Sequence, residues 1–404
     1  MSTDELIPNR KGQSGEEIRQ HNLSVVLRLV HHQGSLSRSQ LATATGLNRS
    51  TISDLVSELS HLGLLIETEA QSPSGVGRPS LVVSTVSNVV AFSVNPEVDA
   101  TTVSVVTLSG KVIAKERKLM RSHPTPDQAI EVAASLIAKL RNGLASDVRI
   151  AGIGVSVPGQ VRTSDGVVRL APQLRWIESA FGPALNQATG LPVFLGNDAN
   201  LGCTAEANFG AAKGQSNVVF LFAGSGGIGG GVISDGRRLG GAGGYAGELG
   251  HIRIATSNQV DYSGFAGTLE ALVRRDDLLD IFKMYVATDE ELDAEMRSNL
   301  HPKAKRLIEE QIDFLGDGLS VFVNIFNPEV IVLGGFLNSL FDFAPERLIS
   351  RMKQGSLAAA SERVVIRKGA LGSNLLVIGA AELAFDAVIT EPSNYALTSA
   401  QVLS

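Results

Sequence analysis

The spacing of hydrophobic residues changes twice along the chain, and each change marks a boundary. From about Glu16 to Ile66 the apolar positions recur with helical period. Val25, Val26, Leu27, Leu29 and Val30 give a first helix its apolar face, with an expected end near Gly34. Ser37 can cap a short second helix through RSQLATAT, because its hydroxyl accepts from an amide left unpaired at a helix start. Gly46 breaks that helix. A third, in RSTISDLVSELSHLG, places Ile52, Leu55, Val56 and Leu59 on one face and stops at Gly63. LLIETEAQSPSGVGRPSLVVST then reads as a β-like run, a Ser/Pro/Gly-rich tip and a second β-like run. Two short helices about a glycine turn, a longer helix and a hairpin predict a winged helix-turn-helix DNA-binding domain over residues 16–86, after a disordered tail over residues 1–15. The same helices can also be read as a small interaction domain.

From Val89 onward strands alternate with helices, the mark of an α/β domain. VVAFSVN, TTVSVVTLS and KVIAKERKL read as successive strands, and DQAIEVAASLIAKLRNGL as an amphipathic helix. RIAGIGVSV, LPVFLGN, NVVFLFAG and PEVIVLGG read as further strands, with long helices in AKRLIEEQIDFLGDGLSVFVNIF and GAAELAFDAVI. Groups of strands followed by helices occur in both halves, so two lobes with a cleft between them are expected. Their boundaries are residues 87–196 with 375–390 for the smaller lobe and 197–374 for the larger, with a polar tail over 391–404.

At 404 residues the chain is long enough for this division. Its content is 44% hydrophobic but only 5% aromatic, which suits aliphatic sheets in a soluble protein. No apolar run approaches the ~20 residues that span a bilayer, and the polar start lacks the core of a signal peptide. No membrane association and a cytoplasmic location are therefore expected. Cys203 is the single cysteine, which excludes internal disulfides and sites built from several thiolates.

The net charge of −6 gives no global attraction to nucleic acid, so DNA binding must be local. In the N-terminal region the cations Arg19, Arg28, Arg38, Arg49 and Arg78 are offset by Glu16, Glu17, Asp54, Glu58, Glu67 and Glu69. Arg38, Arg49 and Arg78 nonetheless fall at the start of helix two, the start of the recognition helix and the wing tip, where side chains meet phosphates and grooves. Ser50, Thr51 and Ser53 are candidate base or phosphate contacts, and Gly-Arg-Pro at 77–79 can place an arginine in a narrow minor groove. Modest affinity, made useful by dimerisation on paired half-sites, is the expectation.

Three features converge on the cleft. LGNDANLG follows a strand end, where ligands of α/β sheets bind, and presents Asn197 and Asp198. GSGGIGGGV has glycines that let backbone approach a ligand closely, though tight hairpins use them too. GYAGELGHIR supplies Glu248 and His251, with Glu270 further on. Taken alone, Glu248 and His251 suit a metal site, an acid/base pair, a sugar clamp or an ordinary polar turn.

NDANLGCTAEANFGAAKG, AGSGGIGGGVISDGRRLGGAGGYAGELGH and VIVLGG closely resemble the ROK family of bacterial sugar kinases and of repressors with an N-terminal winged helix. LSRSQLATATGLNRSTISDLVSELSHLGLL followed by GRPS is similar to the DNA-binding module of the repressors. The resemblance covers nearly the whole chain. It implies an actin-like, two-lobed ATPase fold with the sugar between the lobes. It also implies that Asn197 and Asp198 are sugar ligands, with Asp198 at the position of the kinases' base, and that Glu248, His251 and Glu270 complete the set. Carboxylates and an amide match adjacent hydroxyls and reject ligands that leave them unpaired.

Two departures shape the expected function. The family's zinc motif continues from the His251 position as Cys-x-Cys-Gly-x-x-Gly-Cys, but here Asp261, Ser263 and Thr268 stand where the cysteines belong. No structural zinc is expected, the loop being held by packing of Tyr262, Phe265 and Leu269. The kinases open the α/β region with Asp-x-Gly-Gly-Thr, whereas this chain has Pro96 and Glu97 in the turn, with Asp99 after it. A proline removes a donor and a glutamate repels phosphate, so no ATP cofactor and no enzymatic activity are expected. The leading reading is a sugar-responsive transcriptional repressor of carbohydrate-metabolism genes, binding operator DNA as a homodimer or homotetramer. The alternative is an ATP-dependent sugar kinase that also binds DNA, and a third reading is a regulator with a non-sugar ligand or a partner protein.

Overall fold

The computed structural model describes residues 14–69, 81–120, 123–224, 227–285 and 287–400. Helix α1 (Gly15–Gln33) is started by Ser14, whose hydroxyl accepts from the Glu17 amide while the Glu17 carboxylate accepts from the Ser14 amide. Ser14 and Gly15 thus belong to the helix and not to the expected tail. The helix buries Leu23, Val26, Leu27, Val30 and His31. Val25 and Leu29, expected on that face, are half-buried, since adjacent helical positions point about 100° apart. Ser37 caps α2 (Arg38–Thr45), which ends at Gly46 in the left-handed region. Asn48 caps α3 (Arg49–His61), which buries Ile52, Leu55, Val56 and Leu59 as their spacing requires. β1 (Leu65–Glu69) and β2 (Leu81–Thr85) pair antiparallel, and Leu36 bridges to Val83 beside them. The tip of this hairpin, including Arg78, lies outside the described residues.

The first lobe begins with the meander β3 (Val89–Pro96), β4 (Ala100–Thr107) and β5 (Val112–Leu119), followed by α4 (Pro126–Asn142) and the buried strand β6 (Arg149–Val157). Next come β7 (Gln160–Arg162), β8 (Val167–Ala171) and β9 (Trp176–Ser179), a small antiparallel sheet that the hydrophobic pattern does not reveal. Strands this short carry too few alternations to register. α5 (Phe181–Thr189) and β10 (Val193–Asn197) complete the lobe. The main sheet runs β10-β6-β3-β4-β5, with β3, β6 and β10 parallel. Phe92, Val94, Ile153 and Val155 pack on one side of it against Ala133, Ile137 and Leu185 of α4 and α5.

After α6 (Asp198–Phe209), the second lobe is built on β11 (Val218–Gly224), β12 (Gly227–Ser234) and β13 (Arg237–Arg238). Its helices are α7 (Leu269–Leu272), α8 (Arg275–Ile281), α9 (Asp289–Ser298) and α10 (Pro302–Phe326), then β14 (Val330–Gly335), α11 (Leu337–Phe343), α12 (Pro345–Gln354), α13 (Ala358–Ser361) and β15 (Val365–Lys368). The sheet order is β13-β12-β11-β14-β15. α14 (Leu375–Thr390) then returns between the two sheets: Leu375 and Ile378 meet Phe220 and Val332, while Val377, Ala381 and Phe385 belong to the core on the first sheet. The segment Gly372–Thr390 has the length and composition of a membrane span, but most of it is buried in this core.

Two further features differ from the sequence expectation. Residues 391–400, expected as a polar tail, close the first sheet: β16 (Thr398–Ser399) pairs with the start of β6, the Tyr395 hydroxyl donates to the Ala151 carbonyl at 2.6 Å, and Ala400 is buried. Tyr395, Leu397 and Ala400 pack against the neighbouring cores and anchor this otherwise polar stretch. The N-terminal helices also share one continuous core with the first lobe. Leu27, Val30 and Leu59 fall in the same cluster as Val89, Ala91, Ala381 and Phe385.

Candidate functional site

β10 ends and α6 begins where the two lobes meet. Asn197 acts as the helix cap, its side-chain oxygen accepting from the Asn200 amide at 3.0 Å and its nitrogen donating to the Gly159 carbonyl at 3.0 Å. Asp198 accepts from the Ala199 amide at 2.8 Å. Burial, aided by the nearby charge of Glu248, pushes its carboxyl up to about 6. Glu248 sits on the glycine-rich loop across from it, and burial raises its carboxyl against the opposing pull of His251. Glu270, at the start of α7, accepts from the Ile228 amide at 2.8 Å, and burial raises it too. A β-carbon on Gly227 would stand 2.1 Å from that carboxylate, so the turn needs glycine there. The structure therefore brings Asp198, Glu248, His251 and Glu270 into one electrostatically connected patch. Asn197 lies beside them with both side-chain polar atoms engaged by backbone.

Sequence reasoning missed the residue that organises this patch. Asp261 has a buried carboxylate that accepts from His251 Nδ1 at 2.8 Å, the Thr268 hydroxyl at 2.9 Å, the Ser263 amide at 3.0 Å and the Phe265 amide at 2.9 Å. Burial pushes its carboxyl up, but the bonds from His251, Phe265 and Thr268 outweigh burial and hold it below the ordinary range. These four donors match the roughly four acceptor positions of a carboxylate. The loop is thus hung from Asp261. Tyr262 and Phe265, expected to hold it by packing, are 55% and 57% exposed, while Leu269 is buried. A short acceptor followed by Ser-Gly and a threonine is the signal that could have identified it, since aspartate accepts from amides two residues on. His251 donates Nδ1–H to Asp261, and its Nε2 lies 3.2 Å from the Tyr262 hydroxyl.

The glycines of the β11–β12 hairpin have a packing role not expected from the sequence. β-Carbons on Gly229 and Gly231 would stand 2.5 Å from the β-carbons of Ala199 and Cys203, so these glycines let α6 lie directly on β12. The tip of the hairpin, residues 225–226, is outside the described residues. At the turn after β3, Glu97 accepts from Arg117 at 2.7 and 3.0 Å and from the Thr102 hydroxyl at 2.6 Å.

On the N-terminal helices, Arg38 does not stand free as expected of a phosphate contact. Its guanidinium donates twice to Glu67, both at 2.7 Å, and once to Ser53 at 2.6 Å, so Arg38 and Ser53 knit α2, α3 and β1 together. Arg49 and Ser50 are exposed on the first turn of α3, Ser50 donating to Asn48 at 2.7 Å, and Thr51 is half-buried.

Comparison with known proteins gives consistent results. The xylose repressor of Caldicellulosiruptor bescii is 28% identical over 393 residues, covering 93% of this chain and 98% of that protein. A crystal structure of a ROK family transcriptional regulator, described as a homologue of the E. coli Mlc protein, is 25% identical with a TM-score of 0.76, covering 92% of this chain and 97% of that one. The ROK hexokinase of Thermus thermophilus is 29% identical with a TM-score of 0.63, covering 74% of this chain and 99% of its own. The two lobes thus have the actin-like, sugar-kinase-like architecture. Residues 93–387 match the ROK family, and the chain belongs to it.

Proposed function

We propose that this chain is a DNA-binding transcriptional regulator, a repressor of carbohydrate-metabolism genes, whose operator affinity is set by a sugar or sugar derivative held between the lobes. The observation that carries this reading is the extent of the likeness. The match to the xylose repressor covers 93% of the chain, whereas the hexokinase covers 74%. In this reading the N-terminal helices and hairpin form a winged helix-turn-helix, with Arg49, Ser50 and Thr51 at the DNA and Arg78 at the wing tip. Asp198, Glu248, His251 and Glu270 grip sugar hydroxyls, with Asn197 fixing the helix start beneath them. Sugar binding closes the lobes and lowers the population of the operator-competent state. A homodimer or homotetramer on a palindromic operator, in the cytoplasm, completes the proposal.

The reading includes no phosphoryl transfer and no structural zinc. Support for the first is the turn after β3, where Pro96 offers no amide and Glu97 is ion-paired to Arg117. Phosphoryl transfer depends almost wholly on positioning and charge neutralisation, which that turn does not offer. Support for the second is Asp261, whose acceptor positions are filled by protein donors at the place where the family has a thiolate. A metal would also need the thiolate ligands that Ser263 and Thr268 do not provide.

Mobility-shift titration on the upstream region of its own gene, repeated with D-xylose, D-glucose and N-acetylglucosamine, tests the proposal. One of these sugars is expected to release the DNA without ATP consumption. Sugar-dependent ATP turnover would overturn it, as would failure to bind that DNA.

A further inference from the structure

One buried polar cluster lies outside the candidate sugar site, at the seam between the N-terminal helices and the lobes. His31 of α1 is fully buried there, and both its ring nitrogens face acceptors. Nδ1 meets the Leu108 carbonyl, and Nε2 meets the Glu382 carboxylate at 2.9 and 3.2 Å. A neutral imidazole has one N–H and would aim a lone pair at one of these oxygens. A second proton, held in the Nε2–carboxylate contact, satisfies both at once and makes a tightly bound pair of His31 and Glu382. Asn208, from the last turn of α6, donates to the same carboxylate at 2.8 Å. Phe209 and Phe385 stand edge-on to the His31 ring at 5.3 and 5.8 Å. His32 lies 3.8 Å from Glu382, and Arg28 pairs with Asp386 at 3.0 Å on the rim.

One of the elements that meet here, α6, starts at the candidate sugar site. α6 carries Asp198 on its first turn and Asn208 on its last, roughly 15 Å away along the axis. β6 runs parallel in purpose. The Arg149 guanidinium at its start donates to the Leu62 carbonyl at 2.9 Å and to the Gly63 carbonyl at the end of α3, and just past its other end Gly159 accepts from Asn197. A buried ion pair of this kind is poor evidence for stability and better suited to fixing one arrangement of two bodies.

We infer that the His31–Glu382–Asn208 cluster is the joint through which occupation of the cleft is communicated to the DNA-reading helices, an inference that rests on the function proposed above. A shift of α6 at its Asp198 end moves Asn208 against Glu382, and His31 carries that displacement into α1. None of these residues touches the candidate sugar or DNA positions, so they act as positioning residues.

The test uses the full chain, its own upstream DNA, and whichever of D-xylose, D-glucose and N-acetylglucosamine releases the wild type. Operator affinity is read by fluorescence anisotropy with and without sugar, and sugar affinity of the DNA-free protein by calorimetry. Glu382→Gln removes the charge with little change of shape. Asn208→Ala, at a half-buried position, cuts only the link to α6 and guards against misfolding of the first variant. Wild-type coupling of the usual 5- to 150-fold is expected to fall to about twofold or less in both variants, with sugar affinity held within about threefold. Full sugar-dependent release in folded Asn208→Ala would overturn the inference and leave the proposed function standing. A wild type that none of the sugars affects would remove both. A Co(II) absorption spectrum lost in His31→Gln would replace the proton with a metal and overturn the joint as described.

Discussion

Asp198, in the proposed sugar site, is held at the expense of stability. Its carboxyl titrates near 6 in the folded chain against 3.8 in an unfolded one, because burial disfavours the charge. The folded state therefore holds the proton more tightly, and stability falls as pH rises from about 4 through 6. Above that range the penalty is complete, at roughly 3 kcal/mol. Asp198→Asn is expected to raise stability by up to roughly that amount at pH 7.5 and to give no gain below pH 4, as read by urea unfolding at the two pH values. The same variant is expected to lose sugar binding. Asp261 behaves oppositely, since its charge is satisfied by four donors. Asp261→Asn turns one acceptor into a donor facing other donors, and a loss of about 1–3 kcal/mol is expected. NMR of the His251 imidazole nitrogens is expected to show the tautomer released. The sequence singles out Asp198, Glu248, His251 and Glu270 through the family resemblance, and the structure brings them together. Asp261 was legible only as a missing cysteine, since the replacement works through backbone amides that no spacing rule displays.

Among the elements, helices with caps and glycine stops were the most readable. Ser37, Gly46 and the apolar face of α3 stand where local chemistry puts them. The sheet β7–β8–β9 and the strand β16 were not readable, because short strands are fixed by partners distant in sequence. The pairing of Arg38 is hidden from the sequence for the same reason: its partner Glu67 lies 29 positions away. That difference separates two arginines of similar sequence context. Arg49→Ala is expected to weaken DNA binding about equally across sequences and to lower the salt slope by about one, with the sugar response intact. Arg38→Ala is expected to lower thermal stability as well, because it strands Glu67. In the second lobe, Gly231→Ala places a methyl 2.5 Å from the Cys203 β-carbon. It is expected to cost about 1–3 kcal/mol by prising α6 from β12, measurable as a lowered melting temperature.

At the scale of the whole molecule, two lobes were legible from the alternation of strands and helices. The way the N-terminal helices sit on them was not, because no periodicity says which helix face meets which sheet. The proposed absence of a metal gives a direct check: prolonged dialysis against EDTA is expected to leave both the melting temperature and sugar affinity unchanged. The apolar seam joining α1 and α3 to α14 and the first sheet has a further consequence for how this molecule can be taken apart. A fragment ending near Thr85 would lose the share of this core that Val89, Ala91, Ala381 and Phe385 supply, so excised reading heads would clump, and grafting them onto a foreign scaffold would demand a matching greasy platform. Differential scanning calorimetry of the intact chain should accordingly register head and first lobe as a single cooperative transition, not as beads on a string.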